Sequence, residues 1–342
     1  MRRSRDDRFA TVRRLVWAAY DVVEARAKIV DAIADESGLS REGVDLALRE
    51  HVEIDAADAE IDTLVATAGD ADCVHVVLSA NVFVAALRAI AVARAAAPRV
   101  VVRLSKRDTI FASALVDAAD DPAIEIVDDI AFEKIRSGEV HVYGRDETIA
   151  SIRARAPGRV VRGHGSGFGA IFATDTISDR ELSRIVGDII VFDQRGCLSP
   201  RIVAVVGDFD LARRLGERLA SALRIAAESV PRGRLTDREQ RESREYIDLM
   251  RFGGELFQSE SAVVGVARGD AIILPPPGRH VHLLHAPSID ALRNAFAPVS
   301  RFITCVATDA PSALSLTGTR ICRFGEMQRP RLTGPVDLRA SL

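Results

Sequence analysis

The segment Val191-Phe-Asp-Gln-Arg-Gly-Cys-Leu-Ser-Pro200 sets a helix against a strand. Before it, between Ser178 and Phe192, Leu182, Ile185, Val186, Ile189 and Ile190 recur at the spacing of one helical face. After it, Ile202-Val-Ala-Val-Val-Gly207 is short, β-branched and closed by glycine, the pattern of a buried strand. Cys197 therefore stands where a helix hands over to a strand, in a turn polar enough to face a cleft. A thiol so placed is a candidate nucleophile. The alternative is a core cysteine, since cysteine is among the most buried residue types.

The handover repeats upstream. Cys73–Asn81 reads as a strand running into a polar turn, and Phe83–Ala97 as an Ala-rich helix stopped by Pro98. Arg99–Ser105 is a second strand, followed by a helix to Ala119 capped by Asp108 or Thr109. Ile124–Val127 and Val140–Tyr143 are further strands, with a short helix near Ala131–Arg136 between them and another from Asp146 to about Ala156. Strand-then-helix alternation predicts an α/β fold with a mostly parallel sheet. Ligands of such sheets bind beyond the carboxyl ends of the strands. Asn81, the run from Arg103 to Arg107, and Gly144-Arg145 all fall at such ends.

Arg159–Val161 is a short strand entering Arg162-Gly-His-Gly-Ser-Gly-Phe-Gly169. The dinucleotide fingerprint fails at its third glycine, where Phe168 stands, so the run reads as a crossing between domains. Ala170–Ala173 leads on to the helix before Cys197. Further along, Leu211–Ser229 and Asp237–Phe252 are helices, the second capped by Thr236. Ser261–Ala267 and Asp270–Leu274 read as short strands of a hairpin, followed by the rigid Pro275-Pro-Pro-Gly278. His280, His282 and His285 do not make a metal set, because strand alternation puts His285 on the face opposite the other two. Ser288–Phe296 is a helix, Phe302–Ala307 a strand with Cys305 in the core, and Thr319–Pro330 a basic tail broken by Gly and Pro. At the other end, residues 8–36 form one or two amphipathic helices. Ser40 caps a helix to about Arg49, and Asp55 or Asp58 caps one to about Ala68.

The 342 residues are 48% hydrophobic and 28% charged with a net charge of −3, which suits a globular chain with two cores and gives no reason to expect nucleic acid. The apolar run after Arg14 is broken by Asp21 and Glu24, so no signal-peptide core follows the N-terminal arginines. No apolar stretch is long enough to span a membrane, and a cytoplasmic location is expected. Cys73, Cys197, Cys305 and Cys322 show no paired spacing, so neither a disulfide framework nor a Cys-rich metal site is expected.

The stretch Asp193–Pro200 resembles the active-site segment of LuxC-type acyl-CoA reductases, relatives of the fatty-acid reductases of bacterial bioluminescence within the aldehyde dehydrogenase superfamily. More diffusely, the resemblance runs from about Leu39 to about Asp337. It implies an aldehyde dehydrogenase-like fold: a helical lead-in over 1–68, a nucleotide-binding domain over 69–162, a catalytic domain over 163–312 and a return segment over 313–342. It also implies NADPH-dependent reduction of a fatty acyl thioester, acyl-CoA or acyl-protein, to an aldehyde through an acyl-Cys197 intermediate. By the same resemblance the Cys197 N–H and the Asn81 amide hold the oxyanion, and Gly144-Arg145 turns against the nucleotide phosphates. Where the superfamily has Lys-Pro-Ser-Glu, with Glu on the ribose, this chain has Arg103-Leu-Ser105-Lys106 followed by Arg107, which favours a 2′-phosphate.

Two departures matter. The water-activating Glu of the superfamily's Glu-Leu-Gly-Gly pattern is absent from Val161-Arg-Gly-His164-Gly165, so an acyl-enzyme would await hydride or another thiol. The Glu-Ile-Phe-Gly-Pro segment that touches the nicotinamide ribose is replaced by Leu274–Gly278. His164 is a candidate proton carrier or a structural residue of the crossing. Arg195 either favours the thiolate or is a solvated turn residue. Rival readings are a reductase of another acyl thioester or acyl phosphate, and a catalytically silent acyl-binding relative. A homo-oligomer or an acyl-transferring partner protein is compatible with each.

Overall fold

The computed structural model describes residues 3–174, 176–310 and 318–339; the remaining positions, including the expected boundary at 312/313, lie outside the described residues. The first sheet holds β1 (Cys73–Val77), β2 (Arg99–Arg103), β3 (Ile124–Val127), β4 (Glu139–Tyr143) and β5 (Val160–His164). Its order is β3-β2-β1-β4-β5 and every pair is parallel. Strand order reverses between β1 and β4, which opens a crevice at their carboxyl ends. Asn81 and Gly144 leave the sheet on either side of that crevice, and the loop after β2 lies beside it.

The second sheet holds β6 (Phe168–Ala173), β7 (Pro200–Val206), β8 (Gly254–Gln258), β9 (Val263–Ala267), β10 (His280–Ala286), β11 (Ile303–Thr308) and β12 (Arg320–Cys322). The order is β12-β11-β6-β7-β10-β9-β8, parallel except for β8 against β9. Helices α1 (Arg5–Glu24), α2 (Val30–Ser37), α3 (Arg41–Glu50), α4 (Asp58–Thr67), α5 (Ala85–Ala96) and α6 (Ile110–Ala119) share one core with the first sheet, through Leu15, Leu48, Ile61, Leu87 and Phe111. The lead-in is thus the helical layer of that sheet. α7 (Asp146–Arg155) covers the opposite face with Ile149 and Ile152. In the second sheet, α8 (Asp179–Ile190) and α9 (Phe209–Ser229) bury Ile185 and Leu219 against Val203 and Leu283. α10 (Asp237–Gly253) and α11 (Ile289–Phe296) cover the other face.

Several local expectations change. β5 reaches His164 and β6 begins at Phe168, so the crossing shrinks to Gly165–Gly167, and Ala170–Ala173 is central strand. The glycines there answer to close approach: a Cβ on Gly165 would lie 2.1 Å from Asp146 Oδ1, and one on Gly169 2.4 Å from the Leu198 carbonyl oxygen. The hairpin partner of β9 is Gly254–Gln258, directly after α10, while Asp270–Leu274 is irregular. Asp58 is the first helical residue of α4 rather than its cap, which is Ala57. α6 is capped neither by Asp108 nor by the Thr109 side chain. Glu36 from α2 caps it instead, accepting from Thr109 N at 2.8 Å and Ile110 N at 3.2 Å.

The segment after β12 crosses back to the lead-in. Arg88 pairs with Glu53 at 2.6 Å in the interior and donates to the Pro330 carbonyl at 2.8 Å, and Leu332 N donates to Glu60 at 2.9 Å. These anchors return residues 336–339 to the start of the second sheet.

Candidate active site

α8 begins with a capping box, in which Ser178 Oγ accepts from Glu181 N while Glu181 accepts from Ser178 N, and it ends at Ile190. The chain then makes a left-handed turn. Phe192 (φ 54°, ψ 15°), Asp193 (φ 46°, ψ 40°) and Gln194 (φ 60°) all occupy a region that side chains disfavour. Each such residue costs roughly 1–3 kcal/mol unless its surroundings hold it. Here they do. Asp193 accepts from Arg279 Nε at 2.7 Å and from Gly233 N at 2.8 Å, and its carbonyl accepts from Gly278 N at 2.7 Å. Gln194 donates to the carbonyls of Pro200 (2.7 Å) and His280 (2.9 Å) and accepts from His280 N (2.7 Å). The Phe192 ring meets Phe83 and His51 edge-on, each at 6.0 Å. Against the expectation of a turn too polar for the core, Asp193, Gln194 and Ser199 are buried, and Cys197 is half-buried beyond them.

Arg195 does not serve the thiol. It pairs with Glu239 at 3.2 Å and donates to the Ser37 carbonyl at 2.8 Å and the Arg234 carbonyl at 2.6 Å, which pins the turn to the C-terminus of α2. The charges that do act on Cys197 come from the end of the chain. Burial, and then the Asp337 carboxylate, push its thiol up to about 12, and Arg339 opposes them. Asp337 and Arg339 form a largely buried pair at 2.7 Å, and Arg339 also donates to the carbonyls of Ser166 (2.9 Å) and Arg301 (3.0 Å). Thr304 Oγ1 donates to the Cys197 carbonyl and, at 3.3 Å, to that of Phe168. Thr304 is the extra residue of a β-bulge, since Ile303 pairs with Phe168 and Cys305 with Gly169. Bulges next to active sites commonly re-aim a side chain in this way.

His164 ends β5 and stacks on Tyr143, with ring centroids 4.6 Å apart and planes 15° apart. Burial is the main cause that pushes it down to about 4, so the imidazole is neutral near pH 7. No hydrogen bond joins it to Cys197 among the described residues; the two share the field of Asp337. Asn81 is exposed beyond β1, and its side chain makes no hydrogen bond among the described residues. Its neighbour Val82 shows how close this loop comes to the catalytic turn: a Cβ on Gly196 would lie 2.9 Å from Val82 Cγ2.

The expected nucleotide residues gather at the switch point. Lys106 and Arg107 are exposed, with no ion pair to either among the described residues, and Ser105 Oγ accepts from Arg107 N at 3.4 Å. Arg103 is partly engaged, 3.5 Å from Asp129. Gly144-Arg145 leads into α7, whose first turn carries Asp146 and Glu147; Asp146 is turned onto Ser166 N at 2.8 Å. These acidic residues oppose an anion at that helix end, so the cations after β2 are the better phosphate partners. Among the described residues no group of three or more His, Cys, Asp or Glu side chains is placed to hold a metal, and no helix is long and apolar enough to cross a membrane.

Four residues of this site escape a linear reading: Arg279, Thr304, Asp337 and Arg339. Only Asp337 and Arg339 carry a signal, a second acid–base pair in an otherwise broken tail. Cys305 and Cys322 also meet, with sulfurs 3.7 Å apart on adjacent strands, although both remain free thiols.

Solved structures share the architecture. An oxidoreductase from Marinobacter aquaeolei superposes with a TM-score of 0.74 at 12% identity, over 97% of this chain and 80% of its own. An NAD-dependent benzaldehyde dehydrogenase from Corynebacterium glutamicum gives 0.71 at 15% identity, over 95% and 83%. An NADP-dependent glyceraldehyde-3-phosphate dehydrogenase from Bacillus halodurans, solved with NADP, gives 0.65 at 15%, over 93% and 78%. At such identities the likeness fixes the fold, which is that of the aldehyde dehydrogenases. No curated protein sequence matches the chain. The family model for acyl-CoA reductase (LuxC) matches residues 43–337, which include Cys197 and the Asp337 that acts on it. An oxidoreductase of the acyl reductase and aldehyde dehydrogenase type follows, and the chain belongs to the LuxC acyl-CoA reductase family.

Proposed function

We propose that the protein reduces a fatty acyl thioester to an aldehyde with NADPH, with 69–162 as the nucleotide-binding domain and 163–312 as the catalytic domain. The observation that carries this reading is the over-determined turn that holds Cys197 beside the Asn81 loop. Cys197 Sγ attacks the thioester carbonyl, and the acyl group passes to sulfur as the donor's thiolate leaves. The Cys197 N–H and the Asn81 amide are the proposed donors to the tetrahedral oxyanion. Because the resting thiol is pushed up to about 12, attack requires loss of its proton. His164, neutral at pH 7, is the proposed carrier between that proton and the departing thiolate. NADPH, when bound, supplies the hydride. Lys106 and Arg107 are the proposed partners of its 2′-phosphate.

The acyl-enzyme is expected to last. Val161–Gly165 offers no carboxylate, and Asp337, the carboxylate that acts on Cys197 among the described residues, is occupied by Arg339 Nε and Nη2 at 2.8 and 2.7 Å and by Arg339 N at 3.1 Å. Both oxygens of that carboxylate are thus taken by N–H donors and not turned to a water. The test is incubation with a long-chain acyl-CoA and no nucleotide, followed by intact-mass measurement and peptide mapping. One acyl group on Cys197 is expected, with slow release of free fatty acid. An acyl group on Cys73, Cys305 or Cys322, or rapid steady release of acid, would overturn the reading.

A further inference from the structure

β7 carries a second bulge beside the catalytic turn. Gly169 pairs with Pro200 and Ala170 with Ile202, which leaves Arg201 as the extra residue, four positions after Cys197. Its guanidinium makes no hydrogen bond and no ion pair among the described residues, and its Nε is fully buried without an acceptor. The carboxylate in electrostatic reach is Glu242, which is held by Arg238 at 2.6 Å. The nearby base offers nothing either. His280 Nδ1 faces the Pro277 carbonyl at 3.2 Å and so donates, while Nε2 is taken by Ser243 Oγ at 2.7 Å. His280 also feels a second cation, Arg232.

Arg201 is half-buried, and a guanidinium N–H that is buried without an acceptor, as at its Nε, is costly and usually finds a partner in native structures. The position suggests which partner. The amino ends of β6 and β7 face the crossing, and α10 reaches the other domain there, since Arg238 lies within the field of Glu147 at the start of α7. The anion that completes Arg201 is therefore one that enters the cleft.

We propose that Arg201 is a phosphate-binding residue of the catalytic cleft, unpartnered until a substrate phosphate arrives. This rests on the acyl reductase reading, in which both the acyl-CoA and the dinucleotide carry phosphates. The bulge at Arg201 breaks the alternation of β7 at this side chain, next to the catalytic turn. A charge-assisted contact of this kind is worth about ten- to a hundredfold in affinity.

The experiment separates two half-reactions in the wild type, Arg201→Gln and Arg201→Lys. One arm follows acylation of Cys197 without nucleotide, using either acyl-CoA or the phosphate-free acyl-N-acetylcysteamine thioester. The other follows reduction of the preformed acyl-enzyme over a range of NADPH concentrations. Arg201→Gln should raise the half-saturating concentration by about tenfold or more in one arm, with Arg201→Lys in between. An effect on acyl-CoA but not on the N-acetylcysteamine thioester assigns the phosphate to the acyl donor; an effect on NADPH assigns it to the dinucleotide. The urea midpoint of Arg201→Gln should not fall, because no contact is lost. Unchanged concentrations in both arms, or a lowered midpoint, would overturn the proposal. Failure of the wild type to acylate would instead strike at the acyl reductase reading itself.

Discussion

The two walls of the cleft are built on opposite plans. On the proposed catalytic side, Asp193, Gln194 and Arg279 are buried and fully engaged, and three successive left-handed residues are locked by contacts from the start of β10 and the loop before it, the loop after α9 and Phe83 just before α5. On the proposed nucleotide side, Asn81, Lys106 and Arg107 stand exposed with free side chains among the described residues. The difference follows from what each wall must do. A nucleophile loses rate when displaced by an ångström, so its frame is rigid before substrate arrives. Cations that meet a phosphate can wait in solvent, where their desolvation costs little until the ligand binds.

The largest expected effect tests the rigid wall. Arg279→Met leaves the Asp193 carboxylate uncompensated in the interior and should cost about 3–5 kcal/mol. Urea unfolding measures it. Lys106→Ala should leave the urea midpoint unchanged. Similar losses in the two variants would erase the contrast between the walls.

Next comes Asn81→Ala. If its amide meets the oxyanion, turnover should fall by about a hundredfold, with the urea midpoint and nucleotide affinity retained. Normal turnover would make Asn81 only a turn residue and leave the oxyanion to the Cys197 N–H.

How much of this was legible differs between the walls for the same reason. The strand and helix order was readable because each element carries its own periodicity, down to Ile124–Val127 and the helix after Thr236. The proposed nucleotide wall can be read as a candidate because its residues are local: Arg103 ends β2, and Ser105, Lys106 and Arg107 follow in the loop after it. The catalytic wall was not. Asp193 and Gln194 look like surface residues in a linear reading, since their partners Arg279 and His280 lie far along the chain and only the fold pairs them. Asp270–Leu274 read as a strand because Ile272 and Ile273 are β-branched, yet the edge of the sheet goes to Gly254–Gln258, which follows α10 directly and which the Ser259–Ala262 turn folds antiparallel to β9. Asp337 reaches Cys197 only because Arg88 and Glu60 fasten the returning segment.

One buried group lies on the otherwise open wall. Burial, with Glu36 as the second cause, pushes Asp108 up to about 8. In the unfolded chain an aspartate titrates near 3.9. Between those values the native state keeps a proton that the unfolded state has released. This group's contribution to stability therefore falls as pH rises, by about 1.4 kcal/mol per unit. Asp108→Asn should remove that slope, so the stability of the variant relative to wild type should climb from pH 4 to 8 in urea titrations. A constant difference would mean that Asp108 is ionised in the folded protein and that this wall is as open as its neighbours suggest.

The smallest expected effect concerns which nucleotide the open wall selects. NADH and NADPH differ by the 2′-phosphate, and NAD-preferring sites commonly place a carboxylate against the 2′-hydroxyl. Here the loop after β2 places Lys106 and Arg107 in solvent without ion pairs among the described residues, and Ser105 beside them. Neither cation has to leave a carboxylate to meet a phosphate, so little of the attraction is lost to exchange. Asp108 next door, held protonated below about pH 8, adds no repulsion near neutrality. The wild type should therefore show kcat/KM for NADPH above that for NADH by about tenfold or more, the scale of a charge-assisted contact. Added salt should narrow the gap, because exposed charges are screened. Lys106→Glu should reverse the preference by replacing attraction with repulsion, and should do so without changing the rate at which Cys197 is acylated in the absence of nucleotide. Equal values for the two nucleotides in the wild type would show that exposed cations on this wall do not discriminate.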